Sequence, residues 1–349
     1  MANIIYGKLA GNNDAFYGKW DKPIRMFIQA ESNKYEKESK ILSELFIVEK
    51  SNRFGESVIG ESDFGAFMAA REGERGENDS VQETFKKFIE HVAFMKEFTI
   101  TKEMLDDAKF GMGVEMKNRP GAFVRSYYKT RERLAEWALA NATTTSGVYN
   151  RARIDLACND GQPLFSSAHP YALPEYAGLT QSNYFCRNIA EMEGESYRAK
   201  LEILLAELNN KVRNFESENR DPLGYTADTI IIPGNRPVLE MAMKAIAGTE
   251  RTAGSSNNDI NTQYGNWSVV VLPTWKTSDD RFMVMSSEAN KNLIGNLFFN
   301  RVPLNIMSEV DIHTRNYIWN GYCRFGIGFS AWKHIALFVD GEVSGATEL

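Results

Sequence analysis

Ser166, Ser167 and His169 crowd into four positions of the stretch GQPLFSSAHPYALPEY, residues 161–176. These side chains do nucleophilic chemistry when a fold aligns a hydroxyl, an imidazole and an orienting carboxylate. Here the serines and the histidine are too close in sequence to form that geometry simply. No G-x-S-x-G elbow accompanies them. Only three other histidines, His91, His313 and His334, could contribute elsewhere. The competing reading is an ordered loop stiffened by Pro163 and Pro170, in which the Ser and His side chains satisfy backbone groups. On residues alone a catalytic loop is the weaker of the two.

Other chemical signatures are thinner still. Cys158, Cys186 and Cys323 are far apart, odd in number and without a C-x-x-C pair, so a structural zinc site is not expected and reduced, buried thiols are. Gly326 and Gly328 give a G-x-G without the rest of a nucleotide fingerprint. The thirteen methionines and six tryptophans read as core and interface filler. No metal, cofactor or catalytic residue is assigned from the sequence.

With 349 residues, 43% hydrophobic and 25% charged, the chain can bury a large core. Its formal net charge of −6 lacks the basic balance of a sequence-specific nucleic-acid binder. MANIIYGKLAGNND has no signal-peptide pattern, and no apolar run is long enough to suggest a membrane span. Synthesis in the cytoplasm without export, and no membrane partner, are the expectations.

The elements that would position these residues follow from pattern. Residues 1–40 read as an extended arm with a short helix near 31–45. SELFIVEK (43–50) reads as a strand. The segment 53–79 is Gly-rich and charged. Ser80 and Glu83 make a capping box for a helix over 84–91. Val92, Phe94, Phe98 and Ile100 alternate as a half-buried strand. The two strands thus bracket about thirty residues of loop, a length unusual in compact domains. Ordering it costs about 1–2 kcal/mol per residue in backbone entropy. With so few apolar side chains, that cost must be offset outside the subunit, which points to an assembly.

Thr101 can cap TKEMLDDAK, and Pro120 suits the first turn of a long helix, GAFVRSYYKTRERLAEWALANA. Phe123, Tyr127, Leu134, Trp137 and Ala138 share one face of it. Arg125, Lys129 and Arg133 recur on another, either as a solvated face paired with Glu132 and Glu136 or as a contact to phosphates or a neighbouring subunit. Further on come a helix over 197–215, a buried strand ADTIIIP (227–233), a helix capped by Asn235 and ended by Gly248, and a polar loop 249–265. Strands WSVVVLPTW (267–275) and RFMVMSS (281–287) and a β-like terminal run from Gly321 follow. Helices and strands do not alternate regularly, so the fold class is α+β.

The ordered series resembles the major capsid proteins of tailed bacteriophages, the Hong Kong 97 fold. PLFSSAHP is similar to a landmark string in that family. FTITKEMLDDAK and WALANA resemble the approach to, and body of, its spine helix. GYTADTIIIPGNRPVLEMAMKAI resembles its A-domain strand–helix unit, and WSVVVLP and RFGIGFSAWKHIALF its late strands. The resemblance implies an N-terminal arm (1–42), an E-loop hairpin (43–100), a P-domain with the spine helix (101–180), an A-domain (181–305) and a return to the P-domain (306–349). It implies a structural, non-enzymatic subunit that assembles into the hexamers and pentamers of an icosahedral virion shell around double-stranded DNA, in the host cytoplasm.

The implied partners are other copies of the chain, a portal, a decoration protein and non-specifically packaged DNA. Barely forty residues precede SELFIVEK, which implies a separate scaffolding protein. The loop 53–79 has no lysine, so a lysine–asparagine crosslink does not map onto it. The negative balance fits a wall that does not hold DNA tightly. Phe54, Phe64, Phe67 and Met68 would anchor the E-loop on a neighbour, and Arg251, Asn257, Asn258 and Tyr264 would lie near the capsomer centre. Two alternatives remain at this level: an encapsulin-like compartment shell, and a soluble hydrolase using Ser166 or His169.

Overall fold

The computed structural model describes residues 5–6, 26, 28–36, 41–61, 83–103, 114–194, 196–248 and 261–349. Two sheets and one long helix organise them. The first sheet has five strands. At its centre Asn296–Val310 and Tyr317–Phe329 form a long antiparallel hairpin, in register from Asn296 opposite Phe329 to Val310 opposite Tyr317. Its register shifts twice between Asn300 and Asn305, where Pro303 sits; a proline has no N–H for the ladder and is tolerated at such a bulge. Val92–Ile100 flanks one side of the hairpin, and Ile47–Lys50 and Ile5–Tyr6 pair along the other. Cross-strand aromatic pairs bind this sheet: Phe94 stacks on Phe325 at 4.6 Å and Phe98 on Trp319 at 5.2 Å.

The second sheet has six strands in the spatial order Ser268–Leu272, Thr229–Pro233, Arg281–Met285, Ile335–Asp340, Tyr184–Arg187, Thr347–Glu348, with mixed parallel and antiparallel pairing. Every residue of Thr229–Pro233 is buried, as its unbroken apolar run requires. Helix Tyr197–Arg213 buries Leu201, Leu204, Leu205, Leu208 and Val212, with Ser196 accepting from Ala199 N as its cap. Each such leucine contributes about 1.5–3 kcal/mol relative to exposure.

Helix Val114–Ala140, about 40 Å long at 1.5 Å per residue, ties the two sheets together. Its last turns place Leu134, Ala135, Ala138 and Leu139 in the main core, with the six-stranded sheet. Its middle places Phe123, Val124 and Tyr128 in a second core, against Ile100, Ile306 and Trp319 of the five-stranded sheet. The approach is close: a Cβ on Gly321 would lie 2.4 Å from the Phe123 ring.

Four local expectations need correction. Glu83–Glu90 is a strand, not the helix expected over 84–91; Ser80 lies outside the described residues. Alternate burial of Lys87 and Ile89 and pairing with Gly55–Glu61 override the capping-box signal. The stretch 43–50 begins as helix, Ile41–Leu45, and only Ile47–Lys50 is strand, because Leu42 and Leu45 face the main core one turn apart. Pro120 is buried inside the long helix, which starts at Val114, rather than opening it. Asn235 does not cap the helix Pro237–Gly248; its side chain bonds both backbone groups of Thr277.

Elsewhere the expected elements are present among the described residues; most of the arm 1–40 and of the loop 249–265 lies outside them. Residues 28–36 are helical, Val92–Ile100 is a strand, and Gly55–Glu61 gives part of the Gly-rich segment a partner strand. Most of TKEMLDDAK lies outside the described residues.

Candidate functional site

The loop 161–176 is held by side chains rather than left open. His169 is fully buried. Its Nδ1 lies 2.6 Å from Asp160 Oδ2 and its Nε2 3.2 Å from Asn183 Oδ1. Asn183 fixes its own amide by donating from Nδ2 to the carbonyls of Leu164 and Ile335, while Oδ1 also accepts from Ser166 N. The Ser166 hydroxyl accepts from Ala168 N, closing a local turn. Thus the imidazole is spent on Asp160 and Asn183, not on either serine, and it is closed off from solvent. This arrangement gives the hydrolase alternative no support. Asp160, Asn183 and Trp332, on which the His169 ring stacks, carry no sequence signal: their spacing matches no motif, and only the fold brings them together.

The three cysteines are free and buried. Burial pushes the Cys158 thiol well above its ordinary range and the Cys323 thiol up to about 12, so neither is a ready thiolate. Among the described residues no group of three or more His, Cys, Asp or Glu side chains could hold a metal, and no helix is long and apolar enough to cross a membrane.

Two exposed features remain. The first is the hairpin Gly55–Glu61 with Glu83–Glu90, from whose end the segment 62–82 departs. Lys87 is 5% exposed and reaches Asp155 at 2.5 Å, which pins the hairpin to the strand Ala152–Asp155. At its base His91 Nδ1 donates to the Phe54 carbonyl, and Arg324 lies over the Phe54 ring at 5.1 Å. Phe54 nevertheless stays 61% exposed.

The second is a cleft of about 920 Å³ between the long helix and the turn leading into Arg281–Met285. Arg125, Lys129 and Arg133 enter it from the helix, and Lys276 and Arg281 from the turn; among the described residues that line it there is no carboxylate. Of the two carboxylates expected to pair with the helix cations, Glu132 and Glu136, the second is engaged elsewhere. Glu136 is buried and accepts from the backbone N–H and the hydroxyl of Thr274, so it anchors the far wall of the cleft instead.

No protein-family model matches the sequence, and no curated protein matches it. Solved structures do. The chain is similar to the capsid of the native GTA particle, at 11% identity and a TM-score of 0.50, covering 86% of this chain and 90% of that one. The capsid of the empty GTA particle gives the same identity and TM-score over 87% of this chain and 90% of that one. The capsid structure of cyanophage P-SCSP1u follows at 10% identity and a TM-score of 0.50, over 86% and 88%. The chain has the tailed-phage capsid fold.

Of the residues expected at the interfaces of this capsid fold, Phe54 and Tyr264 are described, and both are exposed. Phe64, Phe67, Met68, Arg251, Asn257 and Asn258 lie outside the described residues.

Proposed function

We propose that the protein is the major capsid protein of a tailed bacteriophage, a structural subunit without an active site that closes an icosahedral shell from hexamers and pentamers around double-stranded DNA. The observation that carries this reading is the capsid fold over nearly nine-tenths of the chain. The buried, fully engaged state of His169 supports it from the other side, because the best nucleophile–base candidate is scaffolding.

In this reading residues 1–42 clasp neighbours, 43–100 form the E-loop hairpin, 101–180 and 306–349 the P-domain, and 181–305 the A-domain. Residues 53–79 lie on an adjacent subunit with Phe54, Phe64, Phe67 and Met68 as anchors. Arg251, Asn257, Asn258 and Tyr264 sit near the capsomer centre. A separate scaffolding protein, a portal and a decoration protein complete the particle, which assembles in the bacterial cytoplasm. The ordering cost of the arm is then offset by intersubunit burial, which is ample in large obligate interfaces. Electron microscopy of the purified protein tests this: shells, tubes or five- and six-membered rings are expected, and small discrete oligomers alone would refute it.

A further inference from the structure

The cleft between the long helix and the turn into Arg281–Met285 gathers cations on a chain whose net charge is −6. Arg125, Lys129 and Arg133 line one wall, and Lys276 and Arg281 the other. Lys96 joins them at the rim, where its Nζ donates to Ser126 Oγ at 2.8 Å. Three carboxylates stand near this group. Asp279 holds Arg281 in a two-pronged pair, Glu136 accepts from Thr274, and Glu132 follows on the same helix. Counting all three against the six cations still leaves three positive charges around one opening. A cleft focuses such a field more than a flat surface does.

The rest of the lining narrows the class of anion. Ser126 accepts from Lys96, so its own proton is left for an acceptor in the cleft. Arg125 donates to the Tyr35 hydroxyl at 2.6 Å and lies over that ring, which orients the guanidinium without cancelling its charge. Trp137 and Tyr149, half-buried with ring centroids 5.5 Å apart, also line the opening. Arg, Lys and Ser side chains are the usual donors to nucleic-acid phosphates. A positive groove that also holds aromatic side chains is the pattern of contact with a nucleic-acid strand. An acidic protein segment would use the cations and leave the aromatic faces without a role. Length agrees with charge: eight residues of helix set Arg125 and Arg133 about 12 Å apart, the span of about four nucleotides of one strand at 3.4 Å each.

We propose that this cleft binds the phosphate backbone of nucleic acid, without sequence preference, through Arg125, Lys129, Arg133 and Lys276. The inference rests on the shell-subunit reading only for the source of the strand, the packaged genome. It adds to that reading a defined point of contact on an otherwise acidic wall. Each contact is weak at physiological salt, as non-specific phosphate binding is, and it repeats at every subunit.

Fluorescence anisotropy of the full-length chain with a labelled 20-nucleotide DNA, single-stranded and as a duplex, tests the proposal without requiring shells. The wild type should bind, more tightly as salt falls. Lys129 and Arg133 are exposed, so Lys129→Gln with Arg133→Gln should leave the melting temperature unchanged. That pair should weaken binding about tenfold or more and reduce the slope of log K against log salt by about 1.5. Lys129→Arg with Arg133→Lys should bind like the wild type. Arg187→Gln with Lys291→Gln, which removes two cations outside the cleft, should change affinity by about twofold or less.

No binding by the wild type, an unchanged affinity and slope in the Gln pair, or an equal loss in the outside pair overturns the proposal. Lost assembly with unchanged nucleic-acid binding overturns it in favour of a subunit contact at the cleft. Failure of the wild-type chain to form any shell would instead count against the shell-subunit reading and leave the binding result standing.

Discussion

The His169 ring lies flat on the indole of Trp332, with centroids 4.2 Å apart and planes 10° from parallel. Its edge is held by Asp160 and Asn183, so the imidazole is a packed strut between the loop 161–176 and the strand that begins at Ile335. Replacing it with alanine opens a cavity and strands the Asp160 carboxylate. His169→Ala should cost about 3 kcal/mol or more, and Ser166→Ala, which loses one local turn bond, about 1 kcal/mol or less. Thermal unfolding checks both. Neither variant should lose an esterase or amidase activity, because the wild type is expected to have none.

Lys87 is a nearly buried cation paired with Asp155, which is largely exposed. Removing the carboxylate leaves the ammonium buried without compensation. Asp155→Ala should therefore destabilise the attachment of Glu83–Glu90 by about 3 kcal/mol. Hydrogen exchange should rise in Gly55–Glu61 and Glu83–Glu90 while the strand Thr229–Pro233 stays protected. Uniform loss of protection would contradict a local role.

Much of the fold is legible in the sequence because period and burial agree. The helix Tyr197–Arg213 has its leucines at helical spacing and a serine cap, and Thr229–Pro233 is an apolar run with no other place to go. Legibility fails where a distant partner decides. Glu83–Glu90 carries a helix-start signal, yet its Lys87 answers to Asp155 and its backbone to Gly55–Glu61. Glu136 looks like a surface partner for Arg133 until the fold presents Thr274 to it. The same limit hid the cleft: Arg125, Lys129 and Arg133 stand out as a stripe, but Lys276 and Arg281 join them only through tertiary packing.

His334 supplies a pH dependence. Burial holds it neutral in the folded protein, its pKa lowered to about 3. In the unfolded chain it takes up a proton near its ordinary value of about 6.5. Between these values the unfolded state binds the extra proton, so this contribution is complete above about pH 6.5 and shrinks as pH falls toward 3. By pH 5 the loss should be about 2 kcal/mol. Chemical denaturation at several pH values measures it. His334→Gln, which can still donate to Asn296, should flatten that part of the profile; an unchanged slope would assign it to other groups.

The arm can be separated from the subunit that carries it. Glu61 faces Glu83 across the hairpin, so an Asn-Gly turn can replace residues 62–82 without disturbing the paired strands. That protein should fold, with an unchanged far-ultraviolet spectrum and melting temperature, and fail to close shells. Normal shells would refute the arm's place on a neighbour.

The most direct test of the central claim is negative-stain electron microscopy of the full-length protein, expressed alone and with the scaffolding protein proposed for it. Closed shells, tubes, or rings of five and six subunits are the predicted result. Small monodisperse oligomers under both conditions would contradict the account.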